Sequence, residues 1–135
     1  MNMRTLLIAL AAVAIGLVLL VAFALLRFSG CSYDIISENV SPSGRYVARW
    51  LSIDCGMNAF SNEVLVQDRW FPGLPALDGK PAGARVTSDF LAIDGGSDMA
   101  WEGDVLVLHY PARSAPELDR RSVGGARVET RPGPR

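Results

Sequence analysis

Histidine is all but missing from these 135 residues: His109 is the sole imidazole and Lys80 the sole lysine. Cysteine stops at two, Cys31 and Cys55, and no Gly-x-Ser-x-Gly elbow occurs. Each shortage closes a route. One imidazole and two thiols do not furnish a usual tetrahedral zinc site. Without the elbow, the nucleophile of an α/β-hydrolase has no seat. Gly95-Gly96-Ser97-Asp98 lacks the closing glycine and reads as a turn. The two cysteines lie far from the Cys-x-x-Cys spacing of dithiol catalysts. By strand alternation His109 shares a face with Val105 and Val107, a position that suits a structural or surface imidazole. Charge is balanced as well. Thirteen basic residues face fourteen acidic ones, which leaves no footprint for nucleic acid.

What the chain does have is a long apolar run. Leu6 to Leu26 is twenty-one residues without a charge or a hydrogen-bonding side chain. At ~1.5 Å per residue a helix there spans about 31 Å, the hydrocarbon thickness of a bilayer, and satisfies its own backbone. Two readings compete. Arg4 supplies the basic start of a secretory signal, but the apolar run exceeds the 7–15 residues of a signal core and ends at Arg27. An uncleaved anchor is the first reading and a cleaved signal the second. Both export the C-terminal part, and N-in, C-out is the simpler topology. With Arg4 and Arg27 set aside, that part keeps eleven basic residues against fourteen acidic ones, a net of −3. Its length suits one small domain with a single core.

The exported part reads as strands. Tyr33 to Val40 is a short strand, and Ser41-Pro42-Ser43-Gly44 is a turn with proline and glycine where a type I turn wants them. Arg45 to Ile53 alternates, with Tyr46, Ala48 and Trp50 on one face and Val47, Arg49, Leu51 and Ile53 on the other. Phe60 to Gln67 follows, with Val64 and Val66 opposite to Leu65. Residues 68–83 are rich in proline and glycine and form a long irregular loop. Arg85 to Asp94 is expected to contain the next strand, centred on Phe90, Leu91 and Ile93. Met99 to Trp101 and Val105 to Tyr110 then flank a Glu102-Gly103-Asp104 turn. The run Val105 to Leu108 suits a central strand buried on both faces. A last strand, Arg121 to Thr130, is weakened by Gly124-Gly125. No helical pattern of useful length follows residue 27. The expected fold is all-β: one N-terminal transmembrane helix, then a small antiparallel β-sheet or sandwich domain. Residues 1–29 are the anchor or signal, 30–130 the β domain, and 131–135 a tail.

An even cysteine count in an oxidising compartment suggests one disulfide. Phe28-Ser29-Gly30-Cys31 also resembles a lipobox, so lipidation of Cys31 is an alternative, and free thiols are a third. Asp94, Asp98, Glu102 and Asp104 offer oxygen ligands for Ca²⁺, yet their spacing fits no EF-hand loop and they are ordinary turn residues. No metal and no cofactor is expected. Trp50 and Trp101 sit in strands as core candidates. Trp70 and Phe71 differ, because two large aromatics in a Pro-Gly loop either pack back onto the sheet or stand free for a partner or membrane surface.

Taken in order, these residues resemble a family of small exported bacterial envelope proteins to which no activity is attached. The matching elements are Cys31, the Ser41-Pro42-Ser43-Gly44-Arg45-Tyr46 hairpin, Asp54-Cys55-Gly56, Phe60-Ser61, Trp101, the strand Val105 to His109, and Tyr110-Pro111-Ala112-Arg113. The likeness spans most of Cys31 to about Val128 apart from the Pro-rich loop. It departs at Met57-Asn58-Ala59, where the family carries a Thr-rich stretch. The resemblance implies that Cys31 pairs with Cys55, and it implies shape and location.

The expected location is the bacterial inner membrane, crossed once through Leu6–Leu26, with the C-terminal domain on the periplasmic side. The expected work is non-enzymatic: binding an envelope protein or ligand, with Trp70 and Phe71 as the contact candidates. One alternative is a cleaved or lipidated periplasmic module of the immunity-protein kind. Another is a hydrolase that assembles Asp54, Asn58 and His109.

Overall fold

The computed structural model describes residues 2–27, 30–57, 59–88, 90, 98–111 and 115–133. The chain divides into two compact units, Met1–Gly30 and Cys31–Arg135. The first is a single helix, α1 (Met3–Arg27). It is long and apolar enough to cross a membrane over Met3–Leu25, as an anchor or a signal sequence does.

The second unit is mostly strand. Its first sheet has the order β1-β2-β3-β4, formed by Ser32–Val40, Tyr46–Asp54, Phe60–Asp68 and Ala84–Thr87. All its neighbours are antiparallel. The β1–β2 hairpin closes at the Pro42–Gly44 turn. There the Gly44 N–H donates to the Ser41 carbonyl at 2.8 Å, and the Tyr46 N–H donates to Ser41 Oγ at 3.1 Å. One extra residue, Ile36, sits in β1 between the pairs Ile35↔Leu51 and Ser37↔Trp50, which makes a bulge in the edge strand.

The second sheet has the order β5-β6-β8-β7, formed by Asp98–Glu102, Val105–Tyr110, Ala126–Pro132 and Ser122–Val123. β6 is an interior strand, and Leu106, Val107 and Leu108 are fully buried. Three details differ from expectation. First, β6 and β8 run parallel, with Val105 opposite Arg127, so the domain is not antiparallel throughout. The connection after Tyr110 is long enough for the crossover that parallel strands need. Second, Gly124-Gly125 does not weaken one long strand. It is the two-residue turn of a β7–β8 hairpin in which Val123 pairs with Ala126. The Gly125 N–H donates to Tyr46 Oη at 2.9 Å, and a Cβ there would lie 2.8 Å from that oxygen. Third, β8 continues through Pro132, and Arg131 is tied to Glu102 and Glu129 at 2.9 and 3.1 Å, so the expected tail is partly strand.

Of the stretch Arg85 to Asp94, expected to contain the next strand, the described residues that pair lie at its start. Pairing falls on Ala84–Thr87, while Phe90 enters the core and meets Trp50 edge to face at 4.8 Å. Leu91 and Ile93 lie outside the described residues. Both sheets feed one core, to which Tyr46, Ala48, Trp50, Val64, Val66 and Val86 come from the first. Met99, Leu106, Leu108, Ala126 and Val128 come from the second. Trp101 is half-buried against this core, and its indole N–H donates to the Asn39 carbonyl at 3.0 Å. The expected alternation of β2 holds: Leu51 and Ile53 point away and form a separate small cluster with Leu65, Cys31 and Tyr33.

Candidate functional site

Residues 69–83 leave the end of β3 and return to β4, and they are laid along the outer side of the first sheet. Proline and glycine forbid a ladder there, so the segment is held by side chains instead. Gln67 Nε2 donates to the Pro72 carbonyl at 3.1 Å. Tyr33 Oη donates to Asp78 Oδ2 at 2.6 Å, and the Lys80 N–H caps Asp78 Oδ1 at 3.1 Å. Lys80 Nζ forms an ion pair with Glu63, a carboxylate only 7% exposed, with Arg85 at 3.6 Å as a second cation. At the return, Gly83 passes so close to β3 that a Cβ would meet Leu65 Cβ at 3.2 Å. The segment is a strap pinned over the outer Leu51–Ile53–Leu65 cluster.

The start of the strap is a cation between rings. Arg45 reaches Asp68 Oδ2 through Nη2 and Nε at 2.9 and 3.2 Å. Its guanidinium lies 4.6 Å from the Trp70 ring centre and 5.1 Å from that of Tyr46, within cation–π range. Asp68 Oδ1 accepts the Trp70 N–H at 2.9 Å. The hydrogen bond from Arg45 holds the Asp68 carboxyl below its ordinary pKa, and the same bond raises that of Arg45. Beside this lies a groove of about 610 Å³ lined by Arg45, Phe71, Leu74, Arg120 and Val123 among others.

Despite these pins, the strap presents its apolar side chains to solvent. Trp70 is 69% exposed, Phe71 77%, Leu74 94% and Leu77 68%. From Trp70 to Leu77 no side chain is charged. Of the two arrangements open to Trp70 and Phe71, the structure has the exposed one. It adds Leu74 and Leu77, which the sequence reading passed over, together with Arg45, Asp68 and the pins Tyr33, Glu63, Asp78 and Lys80. One signal for the pins was available: Glu63 has the same parity as Leu65, so it points to a buried face and needs a cation.

The other candidates fall elsewhere. Cys31 and Cys55 form a disulfide, with Cα atoms 3.8 Å apart. It continues the β1–β2 register one step past the Ser32↔Asp54 pair. With its sulfur in this bond, Cys31 has no thiol left for lipid. Asp54 Oδ1 accepts the Gly56 N–H at 2.8 Å, Asn58 lies outside the described residues, and His109 is in the second sheet. Among the described residues, the His109 side chain has no hydrogen-bond or ion-pair partner. Asp98 caps the Met99 N–H, Glu102 holds Arg131, and Asp104 accepts from Ser43 Oγ. Asp94 lies outside the described residues. Among those described, no three His, Cys, Asp or Glu side chains gather as metal ligands.

Set against models of protein families, curated proteins and solved structures, the chain matches none.

Proposed function

We infer that this chain is a single-pass, N-terminally anchored bacterial envelope protein whose β-sandwich domain is a non-enzymatic binding module on the periplasmic side. The observation that carries the reading is the strap. Four large apolar side chains in succession stand in solvent on a segment held down at several points. A contiguous apolar surface of this kind marks an interaction site. A pre-pinned loop also loses less conformational entropy on binding than a free one. The apolar helix α1 supports the anchor, and the disulfide supports delivery to an oxidising compartment. The core shared by two four-stranded sheets supports the sandwich.

A second reading, the same domain released as a soluble periplasmic module, is favoured by the position of α1, since signal sequences share that place and character. Intact mass separates the two. The anchored form retains Met1 or Asn2, and the released form begins beyond the apolar run. The binding role is tested with a photo-crosslinking residue at position 74 in the full chain, in intact membranes. Position 127, exposed in the second sheet, is the control. An adduct at 74 absent at 127 is expected; equal labelling at both removes the basis of the reading.

A further inference from the structure

We propose that the occupant of the strap is lipid: the Trp70–Leu77 run enters the interfacial layer of the bilayer, and Arg69 and Arg120 meet lipid phosphates. This rests on the binding-module reading and names what its surface contacts. Three observations converge. First, the run is a tryptophan, a phenylalanine, two leucines, two prolines, an alanine and a glycine, all exposed. Tryptophan favours the headgroup level, and phenylalanine and leucine the layer beneath it. Second, the run is flanked by cations. Arg69 precedes Trp70, and Arg120 lines the groove with Phe71 and Leu74. Neither side chain has a carboxylate partner among the described residues, so both are available to anionic headgroups. Third, in sequence only Phe28, Ser29 and Gly30 separate α1 from Cys31. An anchored chain therefore keeps this domain at a lipid surface at all times, and no other binding partner is so constantly present.

The contact has a defined geometry. Trp70 follows Asp68, which pairs with Tyr46 at one end of the β2–β3 ladder; Phe60↔Asp54 is at the other end. Eight ladder steps at ~3.4 Å place the ends about 27 Å apart. Leu77 precedes Asp78, which is bound to Tyr33 near the disulfide end. The strap thus runs along the strands, and a bilayer that meets both Trp70 and Leu77 meets the outer side of the sheet broadside. The strands then lie along the membrane surface.

Tryptophan quenching tests this on the full chain reconstituted into phosphatidylcholine–phosphatidylglycerol vesicles with brominated acyl chains. Trp50 and Trp101 also emit, so the Trp70→Phe variant supplies their share. The expected result is that the emission lost on substituting Trp70 is strongly quenched by bromine. Phe71→Asp with Leu74→Asp, both at exposed positions, lifts the quenching without altering thermal unfolding. Arg69→Gln with Arg120→Gln removes the extra quenching brought by the anionic lipid. If the Trp70 emission is untouched by bromine, the lipid contact is wrong. A Trp70 signal that changes with protein density at fixed lipid overturns it in favour of a second copy. A position-74 adduct that is protein and not acyl chain overturns it too, while leaving the binding-module reading in place. Absence of any adduct at 74 ends both.

Discussion

On the inner side of β2 and β3, Tyr46, Ala48, Trp50, Val64 and Val66 join a core to which both sheets contribute. On the outer side Leu51, Ile53 and Leu65 are covered by Cys31, Tyr33 and a strap held by hydrogen bonds and ion pairs. The same two strands thus carry two kinds of closure. The inner one rests on apolar area removed from water, at roughly 25 cal/mol per Å², and is non-directional. The outer one rests on a few directional contacts, partly open to solvent, each worth about 0.5–1.5 kcal/mol. A layer of the second kind opens locally at low cost, which is where binding segments are drawn from. The strap is therefore the yielding half of the domain and the inner core its fixed half.

The largest expected effect breaks the fixed half. Leu106→Ala, in the interior strand, costs about 4 kcal/mol, because the packed core cannot collapse into the space. Leu65→Ala, equally buried but under the strap, costs about 2 kcal/mol, because the strap settles into the hole. Urea unfolding of the full chain in detergent measures both. Equal costs, or the reverse order, mean that the outer layer is as rigid as the core.

The disulfide comes next. It closes a loop of 24 residues' separation between Cys31 and Cys55. In the chain-entropy model such a loop is worth roughly 3.5 kcal/mol. Because Cys31 belongs to the outer cluster, the loss is expected on the strap side first. Replacing both cysteines by alanine, or reducing them, makes residues 69–83 sensitive to protease in conditions where the strands of the inner core remain protected. Simultaneous cleavage throughout the chain would erase the distinction between the two closures.

The same division explains what could be read from the sequence. The inner face obeys period two, so the sequence alone groups Tyr46, Ala48 and Trp50 on one side of their strand and Val64 and Val66 on one side of theirs, and the structure turns both groups to the same core. The run Val105 to Leu108 announced an interior strand for the same reason. The Pro42–Gly44 turn was legible because its residue types fix its dihedrals. What escaped is what periodicity does not encode. The parallel β6–β8 pair depends on the route of a loop, and Gly124-Gly125 suits either a weak point in one strand or the turn of a hairpin, which it is. The centre expected at Phe90, Leu91 and Ile93 differs from the described pairing at Ala84–Thr87, where Val86 is the one large apolar residue. Trp70 and Phe71 stand out in sequence as two large aromatics in a Pro-Gly loop. That Arg45 lies against Trp70, and that Leu74 and Leu77 join them, depends on long-range contacts through Asp68 and the pins.

The smallest effect isolates a single pin and has a pH signature. The hydrogen bond to Asp78, more than burial, raises the Tyr33 pKa from 10.0 to about 12. The same bond is the first cause of a lowered pKa at Asp78, whose ordinary value is 3.8. A raised tyrosine favours the neutral phenol in the folded state, so its contribution is full below pH 10.0 and vanishes as pH rises through about 12. A depressed carboxyl works in the other direction: its contribution is full above 3.8 and is lost as pH falls below it. The pin therefore holds across the neutral range and fails at both extremes. Tyr33→Phe is expected to cost about 1 kcal/mol at neutral pH, as a part-exposed hydrogen bond to a charged acceptor does, and nothing above the folded pKa. Ultraviolet titration of tyrosinate in the wild type minus the variant isolates the Tyr33 phenol, and Trp70 emission followed over the same range reports the strap. A Tyr33 that ionises at its ordinary value while the strap stays in place would show that Lys80 and Gln67 hold it alone. The outer closure would then be stiffer, and its contrast with the core smaller, than the Tyr33–Asp78 contact implies.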